Sequence, residues 1–215
     1  MNMKKFGLSS LLCWLIYIVV SPATCFATAK EEKKLWQSLL PDYTVVQYAG
    51  NVGKYSVGVG WDYCNKHWDT ELLAGWVPKF YSGHNHYTFT LKQTYTPWNL
   101  TLPFQLNEDA NLSIQPFTIG LYANAIFGGN DFWTREPHSV YGGDYYRFST
   151  RLRFAITLGQ RLHYSFPHSW QKVGKGIDFY YEFSMNDLSI VSAIPNKSLG
   201  FEEILSLGVG ARWHF

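Results

Sequence analysis

Cysteine is scarce, with three in a chain of 215 residues. Two of them, Cys13 and Cys25, lie in the N-terminal leader, so a processed chain keeps only Cys64. A single thiol excludes an internal disulfide framework. Long hydrophobic runs are also missing. The longest, Leu11 to Val20, has ten residues, against about 20 for a spanning helix. No sign of charge dominates either: Lys and Arg number 18, Asp and Glu 16. Loss of Lys4 and Lys5 with the leader makes the two signs equal. A balance of this kind argues against a nucleic-acid partner and against electrostatic steering. There is no internal repeat.

Aromatic residues are abundant, at 18% of the chain. The first residues have their own pattern. A basic start at Lys4 and Lys5 precedes the short apolar run, and Ala27-Thr28-Ala29 forms an A-x-A cleavage site. Residues 1–29 therefore read as a secretory signal peptide, with Lys30 as the first mature residue. Cys25 is not expected to be a lipoprotein anchor, because Pro22-Ala23-Thr24 lacks the leucine such sites use. Residues 30–42 begin charged and turn amphipathic (Lys30 to Leu40), as for a short helix or a frayed tail. The mature length suits one domain, over 43–215.

The most telling segment is the last, LSLGVGARWHF. Leu205, Leu207, Val209, Ala211, Trp213 and Phe215 alternate with Ser206, Gly208, Gly210, Arg212 and His214. Period two with one apolar face is a strand. The polar face is too polar for a soluble core, and the apolar face too continuous for water. This segment resembles the closing strand of bacterial outer-membrane β-barrels, where a terminal Phe preceded by alternating apolar residues is the assembly signal. The resemblance implies an outer-membrane location. It also implies recognition of Phe215 by the barrel assembly machinery and surroundings of outer-membrane lipid and lipopolysaccharide.

The same rhythm recurs upstream. Strands are expected at Thr44 to Ala49, Tyr55 to Tyr63, Trp68 to Val77, His86 to Thr96, Leu112 to Phe127, Tyr146 to Phe166 and Gly176 to Val191. With the closing strand this makes an all-β chain, an eight-stranded antiparallel transmembrane β-barrel, expected as a monomer. Leu73 breaks the alternation of its strand. The Tyr146 to Phe166 stretch is about twice the 9–11 residues a crossing needs. Constant parity favours one long strand over two joined at Leu158 to Arg161. Pro97 to Ala110 reads as a connection. An even strand count puts both termini on the periplasmic side and the glycine-rich loop Gly128 to Asp144 outside the cell.

The inward positions carry Arg147, Arg151, Arg153, Arg161 and Arg212 against Asp62, Asp69, Glu71, Asp178 and Glu182, with Lys92. An interior of eight strands is just wide enough to be filled by side chains, so these charges are expected to pair. A narrow pore is the alternative. One catalytic arrangement stands out, His163-Tyr164-Ser165. A His and a Ser two apart on a strand share a face, so the imidazole can activate the hydroxyl. Glu182 or Asp178 on the next strand is placed to orient it. The spacing is similar to the His-x-Ser element of outer-membrane lipid A deacylases, which are also eight-stranded barrels. That similarity implies an acyl hydrolase using His163 and Ser165, although the Asn that follows the family's Ser is here Phe166. The pair shares its face with the arginines and should point inward. The helix-then-barrel layout also matches the barrel palmitoyltransferases, at the level of fold alone.

His84 and His86 share a face but lack a further ligand, so no metal and no cofactor are expected. The outer loop gathers Phe132, Trp133, Arg135, His138 and Tyr141, a set suited to binding surface sugars. From sequence, the leading expectation is a non-enzymatic envelope or surface-interaction role. A lipid-A-modifying hydrolase and a narrow pore are the alternatives.

Overall fold

A computed structural model describes residues 39–107, 110–128, 151–170, 172–187, 189 and 204–215. Its strands are β1 (Tyr43–Ala49), β2 (Tyr55–Tyr63), β3 (Trp68–Val77), β4 (His86–Tyr95), β5 (Leu100–Asn107), β6 (Ala110–Phe127), β7 (Leu152–Ser165), β8 (Gly176–Asn186) and β9 (Ser206–His214). A single helical turn, α1 (Lys79–Ser82), and a 3-10 turn at His168–Trp170 complete the described elements. Every pairing is antiparallel, and eight strands close into a barrel. The ring closes where β4 pairs β6, from Tyr87↔Phe127 to Tyr95↔Ile119. Closure leaves the ring itself with no edge strand to template aggregation.

Among the described residues, β5 is the one strand outside the ring, and it lies where Pro97 to Ala110 reads as a connection. It pairs the stretch of β6 that runs past the end of β4, irregularly, from Leu100↔Ile114 to Asn107↔Ala110. Pro103 in its middle reads as a loop signal. An edge strand tolerates a proline because one side needs no ladder bond.

Alternation builds the wall. On β4, Thr88, Thr90, Lys92 and Thr94 are buried, while Tyr87, Phe89 and Leu91 are exposed. The outward face of the other strands is likewise apolar, with Val57, Leu72, Trp76, Phe154, Phe179 and Leu207 all exposed. Among the described residues, no helix is long and apolar enough to cross a membrane. Leu73 keeps the inward parity of its strand and packs with Tyr43, Val45 and Tyr180 in a small apolar cluster. β7 runs unbroken through Leu158 to Arg161 and pairs on both sides there. Its partner β6 carries one extra residue: Gln115 faces Arg161, and Thr118 faces Gly159. This bulge at Pro116 and Phe117 lets both Gln115 and Thr118 point inward.

The interior is fitted by pairing large side chains with glycine. A Cβ on Gly60 would lie 2.2 Å from the Tyr43 ring, and one on Gly210 2.5 Å from the Tyr180 ring. Gly60→Val is expected to destabilise the barrel by about 1–3 kcal/mol through overpacking. Urea titration followed by tryptophan fluorescence checks it, and an unchanged midpoint would mean that Tyr43 has room to move.

The start of β1 and the end of β9 share one rim, where Tyr43 pairs His214. The same rim carries the β2–β3 turn, the β5–β6 hairpin and the β7–β8 connection. Three residues of the β2–β3 turn, Cys64, Asn65 and Lys66, have positive φ. The opposite rim carries the long connections 128–151 and 187–205. Of the segment expected as a short helix or frayed tail, residues 30–38 lie outside the described residues, as do the loop residues Phe132, Trp133, Arg135, His138 and Tyr141, while Leu39 and Leu40 form an exposed bend.

Candidate functional site

Charged side chains cross the middle of the lumen. Asp69 accepts from Arg161 at 3.2 Å and from Arg212 at 3.0 Å. Glu71 meets Arg212 at 2.6 Å and Lys92 at 3.4 Å. Lys92 also pairs with Glu182, which accepts from Gln47 at 3.0 Å. Tyr180 donates to Gln47 at 2.9 Å, and the Arg212 guanidinium lies 4.8 Å from the Tyr43 ring centre. These groups are nearly inaccessible. The network links β1, β3, β4, β7, β8 and β9 across the barrel. Nearer the opposite rim, the half-buried Arg153 reaches Asp187 at 3.7 Å.

A second cluster lies at the rim shared by the ends of β1 and β9. β7 ends there, β8 begins and β9 ends. Their registers create two cross-strand rows, Ser165–Gly176–His214 and, one pleat deeper, His163–Asp178–Arg212. Within these rows Asp178 is buried and accepts from both imidazoles. His163 approaches one oxygen through Nδ1, and His214 reaches the other through Nε2 at 2.9 Å. The second nitrogen of each ring also faces a polar group. His163 Nε2 lies 3.1 Å from Ser165 Oγ, and His214 Nδ1 lies 3.6 Å from Asp62. The two rings meet edge to face with centroids 5.4 Å apart. Gly176 makes the space, since a Cβ there would sit 3.0 Å from His163 Cε1 and 2.6 Å from the Tyr164 carbonyl oxygen.

The order Ser165–His163–Asp178 is that of a nucleophile, its base and the group that orients the base. Of the two carboxylates considered as orienters, Asp178 lies against His163, whereas Glu182 is held by Lys92 and Gln47. Access differs along the series. Asp178 is sealed, the His163 side chain is 14% exposed, and Ser165 is half-buried at the strand end. Phe166, next in sequence, packs against Trp213 at 5.1 Å and Trp170 at 6.1 Å. Its N–H donates to the Lys175 carbonyl at 2.9 Å, so it is not free as an oxyanion donor. Beyond it, Trp170 is 60% exposed and Val173 68% exposed.

His214 and Asp62 belong to this cluster and were not singled out from sequence as site residues. Both sit at inward parity on separate strands, and only the ladder through Gly176 and the β1 pairing brings them to His163. Among the described residues, His163, Asp178 and His214 form a group able to hold a metal ion, with ligand atoms all within 4.8 Å. His84 is exposed and His86 half-buried at the opposite rim. Compared with known proteins, the chain matches no family model, no curated protein and no solved structure.

Proposed function

We propose that this chain is an outer-membrane β-barrel that hydrolyses acyl esters of membrane lipid. Ser165 is the nucleophile, His163 the general base and Asp178 the residue that positions His163. One observation carries the reading: Ser165 Oγ stands 3.1 Å from His163 Nε2 while Asp178 occupies the other ring nitrogen. In the reaction, Oγ attacks the ester carbonyl carbon as Nε2 takes the hydroxyl proton. The imidazolium returns that proton to the leaving alkoxide as the C–O bond breaks. Water then attacks the acyl-serine by the same route, releasing the fatty acid and restoring Ser165.

The apolar outward face and the charged interior support a membrane setting. The long connections lie at the rim opposite the site, and barrels of this kind keep longer loops outside the cell. On that basis the triad faces the periplasmic side. An inward-pointing pair has to reach lipid, and its place at the rim allows this. Ser165 is the last residue of β7, and the exposed Trp170 and Val173 follow it at the height where aromatic residues anchor to a membrane interface. The pore reading is opposed by the salt-bridged network across the lumen. The surface-binding reading rests on loop residues outside the described ones.

The test is expression in a host lacking the protein, with mass spectrometry of lipid A and of total phospholipid. Wild type should remove an acyl chain, and Ser165→Ala should not. Newly formed lysophospholipid would identify an inner-leaflet donor, as the periplasmic placement predicts, and lipid A lacking a chain would put the triad on the outer side instead. Lipid A and phospholipid both unchanged would contradict the proposal. Asp178→Asn is expected to lower turnover by fixing the wrong imidazole tautomer, by less than loss of the nucleophile Ser165 does. Glu182→Gln is expected to leave turnover of the folded protein within about threefold and to lower stability, because its partner Lys92 is buried. Rates normalised to folded protein separate the two, and equal losses would make Glu182 the orienting group.

A further inference from the structure

We propose that His163, Asp178 and His214 form a binding site for a divalent transition-metal ion, with Zn²⁺ the best fit. One ligand atom from each of the three residues already lies within 4.8 Å of the other two, and the Asp178 carboxylate meets His163 through Nδ1 and His214 through Nε2. Zinc bonds of about 2.0–2.2 Å place tetrahedral ligands about 3.3 Å apart, so small side-chain rotations close the site. Two imidazoles and one carboxylate are the donor set of zinc sites that keep a fourth position open. Imidazole also selects transition ions over Mg²⁺ and Ca²⁺, which prefer oxygen alone.

The outer partners fit the same purpose. A ligating histidine characteristically uses its second nitrogen on a carboxylate or another hydrogen-bonding group, which fixes ring orientation. Here His214 Nδ1 faces Asp62 at 3.6 Å and His163 Nε2 faces Ser165 at 3.1 Å. Charge is balanced too. Arg161 and Arg212 form their ion pairs with Asp69 and Glu71, while Asp178 and Asp62 are met by the two imidazoles. Access comes from the rim, where His163 is partly exposed.

The site overlaps the proposed triad at His163 and Asp178, and the two states exclude each other. An ion on Nδ1 keeps the ring proton on Nε2, so Ser165 loses its base. This consequence rests on the hydrolase reading, but the binding site does not.

The experiment is Zn²⁺ titration of the full barrel, refolded into phospholipid vesicles, by competition with a chromophoric chelator. Wild type and Ser165→Ala should each bind one Zn²⁺, the variant more weakly by about 10-fold, because it keeps all three ligands and loses only the outer contact to His163 Nε2. Asp62→Asn should weaken binding by about 10–100-fold, and His214→Gln and Asp178→Asn by more. Refolding of each variant is checked by its heat-dependent gel shift. Retention of wild-type affinity in folded His214→Gln would overturn the proposal, as would wild-type protein that takes up no stoichiometric Zn²⁺. Because Ser165→Ala retains the site, failure of the nucleophile reading and failure of the metal site are seen separately.

Discussion

Ser165→Ala is expected to lower acyl-ester hydrolysis by about 10³–10⁴-fold. In highly developed serine hydrolases, loss of the nucleophile costs about 10⁶ in turnover. Part of such a rate comes from backbone donors to the oxyanion, each worth about 10²–10³. The amide that follows Ser165 is spent on Lys175, so this contribution is reduced and the fall is smaller. His163→Ala should cost about as much, and the double variant no more than either single one, because the residues act as one unit. The comparison needs purified, folded barrel and a chromogenic short-chain ester. Additive losses would indicate that the two residues do not work together. Activity unaffected by either change would leave the rim cluster without a hydrolytic role.

Asp69→Ala is expected to produce the largest loss of stability, about 3–5 kcal/mol. The carboxylate holds two guanidiniums, Arg161 at 3.2 Å and Arg212 at 3.0 Å, and is 1% exposed. Deleting it leaves buried cations short of a counter-charge. Removing one partner of a buried pair has a cost of this size, even though the intact pair contributes little net stability. The half-buried Arg153–Asp187 pair is the internal control, since Asp187→Ala should cost under about 1 kcal/mol. Urea unfolding of both variants in vesicles gives the comparison. Similar shifts for the two would mean that water reaches Asp69 and that the lumen is open.

The barrel was legible because its constraint is repeated on every strand. Outward residues such as Phe89, Leu91 and Phe179 alternate with inward Thr90, Lys92 and Asp178, and one slip would invert both faces. β5 was not legible. Its proline is a loop signal in a central strand, and only the pairing to β6 shows it to be an edge. Judged by polarity, Leu73 is a break in the alternation, yet the interior holds an apolar pocket with Tyr43 and Val45. In the site, the His163–Ser165 pair could be read locally, being two residues apart on one strand. The choice between Asp178 and Glu182 depended on cross-strand register, which places Asp178 opposite His163 and Glu182 opposite Gly159. His214 required three strands to be aligned at once, so no segment read alone could assign it to the site.

The central claim is that the His163–Asp178 pair makes Ser165 nucleophilic. Labelling of the folded barrel with a fluorophosphonate, read by intact mass and peptide mapping, tests it without knowledge of the lipid donor. One adduct per chain, on Ser165 and lost in His163→Ala, is the result expected. An unlabelled barrel, or a label on another serine that survives His163→Ala, would contradict the claim.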